Sequence, residues 1–376
     1  MFMGRNLSDF SREIIRRQES MRDFVDHTQR MRMVAGKLEF GEDSCRYSFP
    51  VNNIAAQQIA TFTGIPSAYY NRMREDAPAL LDTNINAWLE KEDTTRMIRT
   101  LDGRARAFLS NKYLPIDNYE IALRVLPVLS RIIDLSDKNV SCEVTDRNMY
   151  IKVINYNMER EVTPGDIVQS GIIVTNSEVG QGMVSVMPFM NRLVCSNGMV
   201  IDVAAKKRRH VGKTIDLGQD DYQIYREETV NAANHAFLMQ IEDTVLAVAD
   251  EVKFDRILDT MREAKDKKFT NKNIPAVVEL ATKKYGIAES AKDNILTHLI
   301  REGDTSVYGL ANAITRYSQD VEDYDTATDL EAIGGKIINM PKSLFDELNN
   351  ANTTKEQRKQ ERREQKARNA ELLAVA

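Results

Sequence analysis

The sequence predicts an α+β protein in which an antiparallel β-meander is packed with helices and followed by a helical C-terminal region and a charged tail. Three observations carry this reading. Residues 167–203, IVQSGIIVTNSEVGQGMVSVMPFMNRLVCSNGMVIDV, place Ile172, Val174, Val184, Val186, Leu193, Cys195, Val200 and Val203 on short β-favouring runs broken by Gly180, Gly182 and Asn197-Gly198. The turns between successive strand patterns are short, which favours antiparallel pairing over crossover connections. From residue 223 onward, apolar residues recur every three or four positions, the helical period.

In chain order, residues 7–34 read as one amphipathic helix, with Phe10, Ile14, Ile15, Met21, Phe24, Val25 and Met31 on a stripe and Ser8 near its cap. Two short strands follow around Gly41-Glu-Asp-Ser44, then a helix from Asn53 that ends near Gly64 and Pro66. A helical stretch containing Tyr69, Tyr70, Met73, Leu80, Leu81 and Trp88 is interrupted by Pro78. Residues 95–113 form a hairpin through Asp102-Gly103, because a tight two-residue turn needs positive φ at both positions. Asp117 or Asn118 caps the next helix, and a further hairpin turns at Asp146-Arg-Asn148. For the same reason as Asp-Gly, Asn197-Gly198 predicts a turn inside the meander.

One long helix is expected over residues 223–261, with others at 275–285, 288–301 and 306–318, the last capped by Asp304 or Thr305. Residues 349–370 contain almost no apolar side chain and read as a charged tail, in which Lys355, Arg358, Lys359, Arg362, Arg363, Lys366 and Arg368 outweigh Glu356, Glu361 and Glu364. The resulting division is 1–48 for an N-terminal helix and short hairpin, 49–218 for the α+β core, 219–348 for the helical region and 349–376 for the tail.

At 376 residues the chain can bury a substantial core, and its 28% of charged residues is ordinary for a folded protein. The net charge of −5 argues against a general nucleic-acid coat but leaves room for a local basic groove. Cys45, Cys142 and Cys195 are few, odd in number and far apart, which fits a reducing compartment. With no leader pattern and no run of about twenty apolar residues, a cytoplasmic protein is expected.

Metal and nucleotide chemistry find little support. His27, His210, His235 and His298 are isolated, and no paired-cysteine or paired-histidine motif occurs. The acidic run Asp320, Glu322, Asp323, Asp325 and Asp329 lacks the glycine and terminal glutamate of a calcium loop and reads as a solvated connector. Gly334-Gly335-Lys336 lacks the upstream glycine of a phosphate loop. Cys195 lies near basic residues, but a free cysteine in a strand usually packs as a small hydrophobe. No cofactor is expected, and the chain reads as a non-enzymatic protein; a carboxylate-bound magnesium site at Asp320 or Asp323 is the weakest reading.

Electrostatics offers more. Arg96, Arg99, Arg104, Arg106 and Lys112 alternate with Phe108 and Tyr113 on the 95–113 hairpin, and Lys206, Lys207, Arg208, Arg209 and Lys213 follow the meander. Cations track phosphates while rings stack on bases, so this mixture suits a single-stranded nucleic acid. The competing reading is a solvated sheet face or a subunit contact.

Three stretches carry a resemblance: Arg104-Ala-Arg-Ala-Phe-Leu-Ser-Asn-Lys-Tyr-Leu-Pro-Ile-Asp-Asn118, Asn191-Arg-Leu-Val-Cys-Ser-Asn-Gly-Met199 and Tyr308-Gly-Leu-Ala-Asn-Ala-Ile-Thr-Arg-Tyr317. In order and spacing they resemble the phage- and plasmid-encoded family known as the domain of unknown function 932. The resemblance implies a mobile-element origin and transfers no activity. Members often carry an acidic-histidine pair after the third stretch, where this chain has Ser318-Gln-Asp320. In architecture the meander with packed helices is also similar to phage single-strand annealing proteins.

The expectation is therefore an oligomeric, single-stranded DNA-binding protein of phage or plasmid origin, supporting annealing, recombination or protection of DNA. The alternative is a phage assembly or host-interaction protein that acts through protein contacts.

Overall fold

The computed structural model describes residues 4–42, 44–194, 197–201, 206–208 and 227–351, with 206–208 and 227–231 described by their backbone. It opens with helix α1 (Leu7–Ser20), capped by the Asn6 side chain, which accepts from the Asp9 N–H at 2.8 Å. The helix stops fourteen residues short of the expected end: Met21 is extended, and the chain continues as β1 (Arg22–His27) and β2 (Arg32–Val34). Phe24, placed on a helical stripe by sequence, instead pairs across β1 with Ile98. A ladder formed far along the chain overrides the local helical spacing.

Strands β3 (Lys37–Glu42) and β4 (Cys45–Pro50) join β2 in a three-stranded sheet, as the short-hairpin reading anticipates. Helices α2 (Asn53–Phe62), α3 (Ser67–Asp76) and α4 (Pro78–Lys91) then cover it, burying Ile59, Tyr70, Met73, Ile85 and Leu89 against Leu38 and Phe40. Strands β5 (Thr95–Leu101) and β6 (Arg104–Ser110) form the expected hairpin, with Asp102 at φ 51° and Gly103 at φ 71° in its turn. Because β1 pairs with β5 in the order β1-β5-β6, this second small sheet crosses the expected boundary at residue 48.

Helix α5 (Asn118–Ile132) leads into the principal sheet: β7 (Val140–Val144), β8 (Met149–Glu161), β9 (Ile167–Asn176), β10 (Val184–Arg192) and β11 (Asn197–Val200), in the order β11-β10-β9-β8-β7. Strand β12 (Lys206–Arg208) also pairs with β10, and every ladder is antiparallel. The meander expected over residues 140–203 is thus present. Period-two alternation sends Ile172 and Val174 to one face and Ile173 to the other. The first face meets α1, α5 and α6 (Glu227–Val248) through Phe10, Val125, Leu129 and Ile241.

The helical region differs from expectation in detail. Helix α6 ends at Val248, and α7 (Glu251–Asp266) starts anew with Asp250 accepting from Lys253 N–H at 3.1 Å, so the single long helix is two. Helices α8 (Ile274–Tyr285), α9 (Lys292–Glu302) and α10 (Val307–Tyr317) follow, and Ser306 caps α10 in place of Asp304 or Thr305. Helices α11 (Tyr324–Ile338) and α12 (Lys342–Asn349) are additions to the sequence reading. The acidic connector is partly the start of α11, whose cap is Asp323 accepting from Thr326 N–H at 2.8 Å. Among the described residues no helix is long and apolar enough to cross a membrane. Cys195 and the tail from residue 352 lie outside the described residues.

Asn197-Gly198 is not the turn that its composition suggests. Both residues lie within β11, paired with Arg192 and Asn191, and the connection runs through residues 193–196. Gly198 is there for closeness: a Cβ on it would stand 2.1 and 2.5 Å from two atoms of the Phe189 ring, which is itself fully buried. Gly198→Ala is therefore expected to cost about 1–3 kcal/mol through overpacking, read as a lower midpoint in urea with an unchanged slope.

Candidate nucleic-acid interface

The β5–β6 hairpin carries the expected basic-aromatic cluster, and its register decides what each side chain does. Arg96 lies opposite Ser110, Ile98 opposite Phe108 and Arg99 opposite Ala107, with an irregularity between Arg99 and Thr100. The sheet has protein on both sides, so most of the cluster turns inward.

Arg99 is fully buried. Its Nε donates to Asp23 Oδ1 at 2.9 Å, Nη2 to Asp117 Oδ1 at 2.6 Å and Nη1 to the Glu178 carbonyl at 3.0 Å. Arg106 is buried against Glu178, with Nη2 donating to Oε2 at 2.5 Å, while Glu178 Oε1 accepts from Asn118 N–H at 2.7 Å. Phe108 is buried beside Phe62, and half-buried Tyr113 donates its hydroxyl to the Ser177 carbonyl at 3.1 Å. Arg99, Arg106 and Phe108 are therefore structural, which corrects their assignment to a ligand surface. Asp117, expected as a helix cap, makes no cap bond and serves Arg99 instead.

The network joins the hairpin to the β9–β10 connection. Burial alone would raise the Glu178 carboxyl, but Arg106, the Asn118 N–H and Arg99 hold it below its ordinary value. Asp117 goes the other way: burial raises it, and Glu178 and Asp23 add to that against the pull of Arg99. Burial likewise pushes the Tyr113 hydroxyl up.

What the hairpin shows to solvent is Arg104 beside its turn and Lys112 beyond its end. Arg96 is half-buried, its guanidinium 4.1 Å from the Phe62 ring centroid and 5.7 Å from that of Phe108. In the second basic cluster, Lys206, Lys207 and Arg208 form β12, opposite Val186, Ser185 and Val184 of β10. Arg209 and Lys213 lie outside the described residues. Of the rings in the β2–β4 unit, Tyr47 keeps 38% of its surface exposed, at the rim of a cluster with Phe24, Phe40 and Phe49. Sequence reading passed over Tyr47 because β4 carries no basic run beside it.

The structure also gathers residues that were far apart in sequence. The second and third familiar stretches meet where Asn197 Nδ2 donates to Thr315 Oγ1, and Arg192 of the second binds Asp166, with Nε to Oδ1 at 2.6 Å. Tyr308 donates to the same carboxylate at 3.0 Å, and Arg192 reaches Glu302 at 3.0 Å. His298 Nε2 lies 2.8 Å from Asp320 Oδ2, so an acidic-histidine pair forms through space rather than along the chain. Among the described residues no three His, Cys, Asp or Glu side chains are placed to hold a metal ion together.

The family model described as "Domain of unknown function (DUF932)" matches residues 107–373. The chain belongs to this family. No curated protein and no solved structure matches it. Within this DUF932 member, the matched region takes in the principal sheet, the helical region and the β12 cations. Arg96, Arg99, Arg104 and Arg106 precede it.

Proposed function

We propose that this DUF932 protein binds single-stranded nucleic acid through its phosphates, as an oligomeric, non-enzymatic protein of phage or plasmid origin in the host cytoplasm, supporting annealing, recombination or protection of DNA. The observation that carries the reading is β12: three consecutive basic residues whose backbone pairs with β10, the only described partner of β12. In the sequence, Arg209, His210 and Lys213 follow these three. Concentrated cations bind a polyanion by releasing its counterions, so affinity falls steeply with salt. With Phe108 buried, stacking on the hairpin is not part of the proposal, and an exposed ring such as Tyr47 would have to supply it.

Anisotropy titration of a labelled oligonucleotide at several salt concentrations tests this. The wild type is expected to bind at low salt, and replacing Lys206, Lys207, Arg208 and Arg209 with Ala is expected to flatten the salt dependence by up to about 3 in logarithmic slope, at roughly 0.7 per lost phosphate contact. No binding at low salt sinks the reading, and an unchanged slope removes the cluster from the site.

A second reading, contact with a phage or host protein, has its own observation. Leu123 of α5 is 60% exposed, and Met239 and Leu246 of α6 are 49% and 50% exposed, on two helices that pack together. Partner capture that survives nuclease treatment would favour it over nucleic-acid binding.

A further inference from the structure

Arg96 is unlike the two buried arginines of its hairpin. Arg99 and Arg106 each hold carboxylates. The Arg96 side chain has no ion pair and no hydrogen bond to any described residue, and its Nε is buried without an acceptor. Two rings fix it in place: Phe62 at the end of α2 and Phe108 of β6. Ser110 stands directly across the ladder.

A half-desolvated cation without a counter-ion is costly unless something anionic reaches it. Burial lowers the pKa of Arg96, and Glu92, which acts in the opposite direction, does not come within ion-pair distance. Ring contacts hold a guanidinium plane without using its edge donors, and a fixed fork of N–H groups matches the oxygens of a phosphate. A phosphate oxygen reaching the terminal N–H groups of that fork would supply the acceptor that neither ring provides.

We propose that the guanidinium of Arg96 forms a subsite for a phosphate oxyanion. Assigning that oxyanion to a nucleic-acid strand rests on the reading given above, while the subsite itself does not. Its two sources, a backbone phosphodiester and a free phosphate, share the same oxygens and are separable by experiment.

The test follows the arginine Nε–Hε signals of the ¹⁵N-labelled full chain by NMR, with Arg96 assigned from the signal missing in Arg96→Lys. Inorganic phosphate is titrated at constant ionic strength against chloride, and a short oligothymidylate is titrated separately. The Arg96 signal is expected to move saturably with phosphate and not with chloride, and the oligonucleotide is expected to move it too. Arg96→Lys, which keeps the charge and loses the fork, is expected to weaken oligonucleotide binding about tenfold. A signal that moves with neither ligand overturns the subsite. Oligonucleotide binding that leaves Arg96 unmoved overturns it as well, while leaving nucleic-acid binding standing. Movement with phosphate in a protein that binds no oligonucleotide supports the subsite, with free phosphate as its source, and overturns the nucleic-acid reading instead.

Discussion

Replacing Lys152 with Met while leaving Glu331 in place is expected to destabilise the protein by about 3–5 kcal/mol, because it strands a charge in the interior. Lys152 is on β8 and fully buried, and its Nζ donates to Glu331 Oε2 at 2.6 Å and Thr328 Oγ1 at 2.9 Å, both on α11. The ammonium also lies 4.5 Å from the Tyr324 ring and 5.8 Å from that of Phe189, so one lysine ties the helix to the sheet through charge and aromatic faces together. Glu331 already has one oxygen, Oε1, without a partner. Without Lys152, its second oxygen loses the ion pair. The control is Lys152→Met with Glu331→Leu. Apolar replacement of both partners is often neutral or stabilising, so the double variant is expected to recover most of the loss in a urea melt. A double variant as unstable as the single one would show that packing, not the stranded carboxylate, sets the cost.

The same pair shows where sequence reading stops. Lys152 sits in a run of strand residues, Met149-Tyr-Ile-Lys-Val-Ile154, and alternation alone places it on a face without saying what covers that face. The cover is α11, whose opening Tyr-Asp-Thr-Ala-Thr-Asp is too polar to announce a helix that packs on a sheet. Asp325 looked solvated and instead accepts from the Tyr150 hydroxyl at 2.6 Å. Hairpin chemistry was legible wherever it is local, as at Asp102-Gly103, where backbone conformation itself demands the residues. The same logic misled at Asn197-Gly198, since a glycine wanted for its missing Cβ looks identical to one wanted for positive φ. Strand β1 was hidden because its partner is β5, beyond three helices. The candidate site failed for a related reason. Arg99 and Arg106 read as surface cations because the residue that receives both, Glu178, is 79 and 72 positions away.

Glu178→Gln is the second large effect expected, about 3 kcal/mol at neutral pH, because Arg106 would remain buried without its counter-charge. Its pH dependence separates this cause from simple loss of packing. Glu178 is held below its ordinary value in the folded chain, whereas the unfolded value is about 4.3. The folded state therefore binds this proton less readily than the unfolded state. The stabilisation is fully present above about pH 5 and is lost as pH falls through the folded value. Asp117 has the opposite sign: burial raises it, so the folded chain takes up that proton more readily, and its titration favours the folded state on the acid side. Asp117 is present in both proteins, so subtracting the variant's unfolding free energy from that of the wild type largely isolates Glu178. In urea titrations between about pH 7 and pH 3, that difference is expected to stay level and then shrink toward zero below about pH 4. A difference that persists in acid would mean that Glu178 acts through its shape and its hydrogen bond to Asn118 rather than its charge. The consequence reaches the proposed site, because Glu178 anchors β6 through Arg106 and β5 through the carbonyl that Arg99 holds. Those strands carry Arg96 and its ring support Phe108. Loosening the anchor in acid is thus expected to blur the Arg96 signal before the principal sheet unfolds.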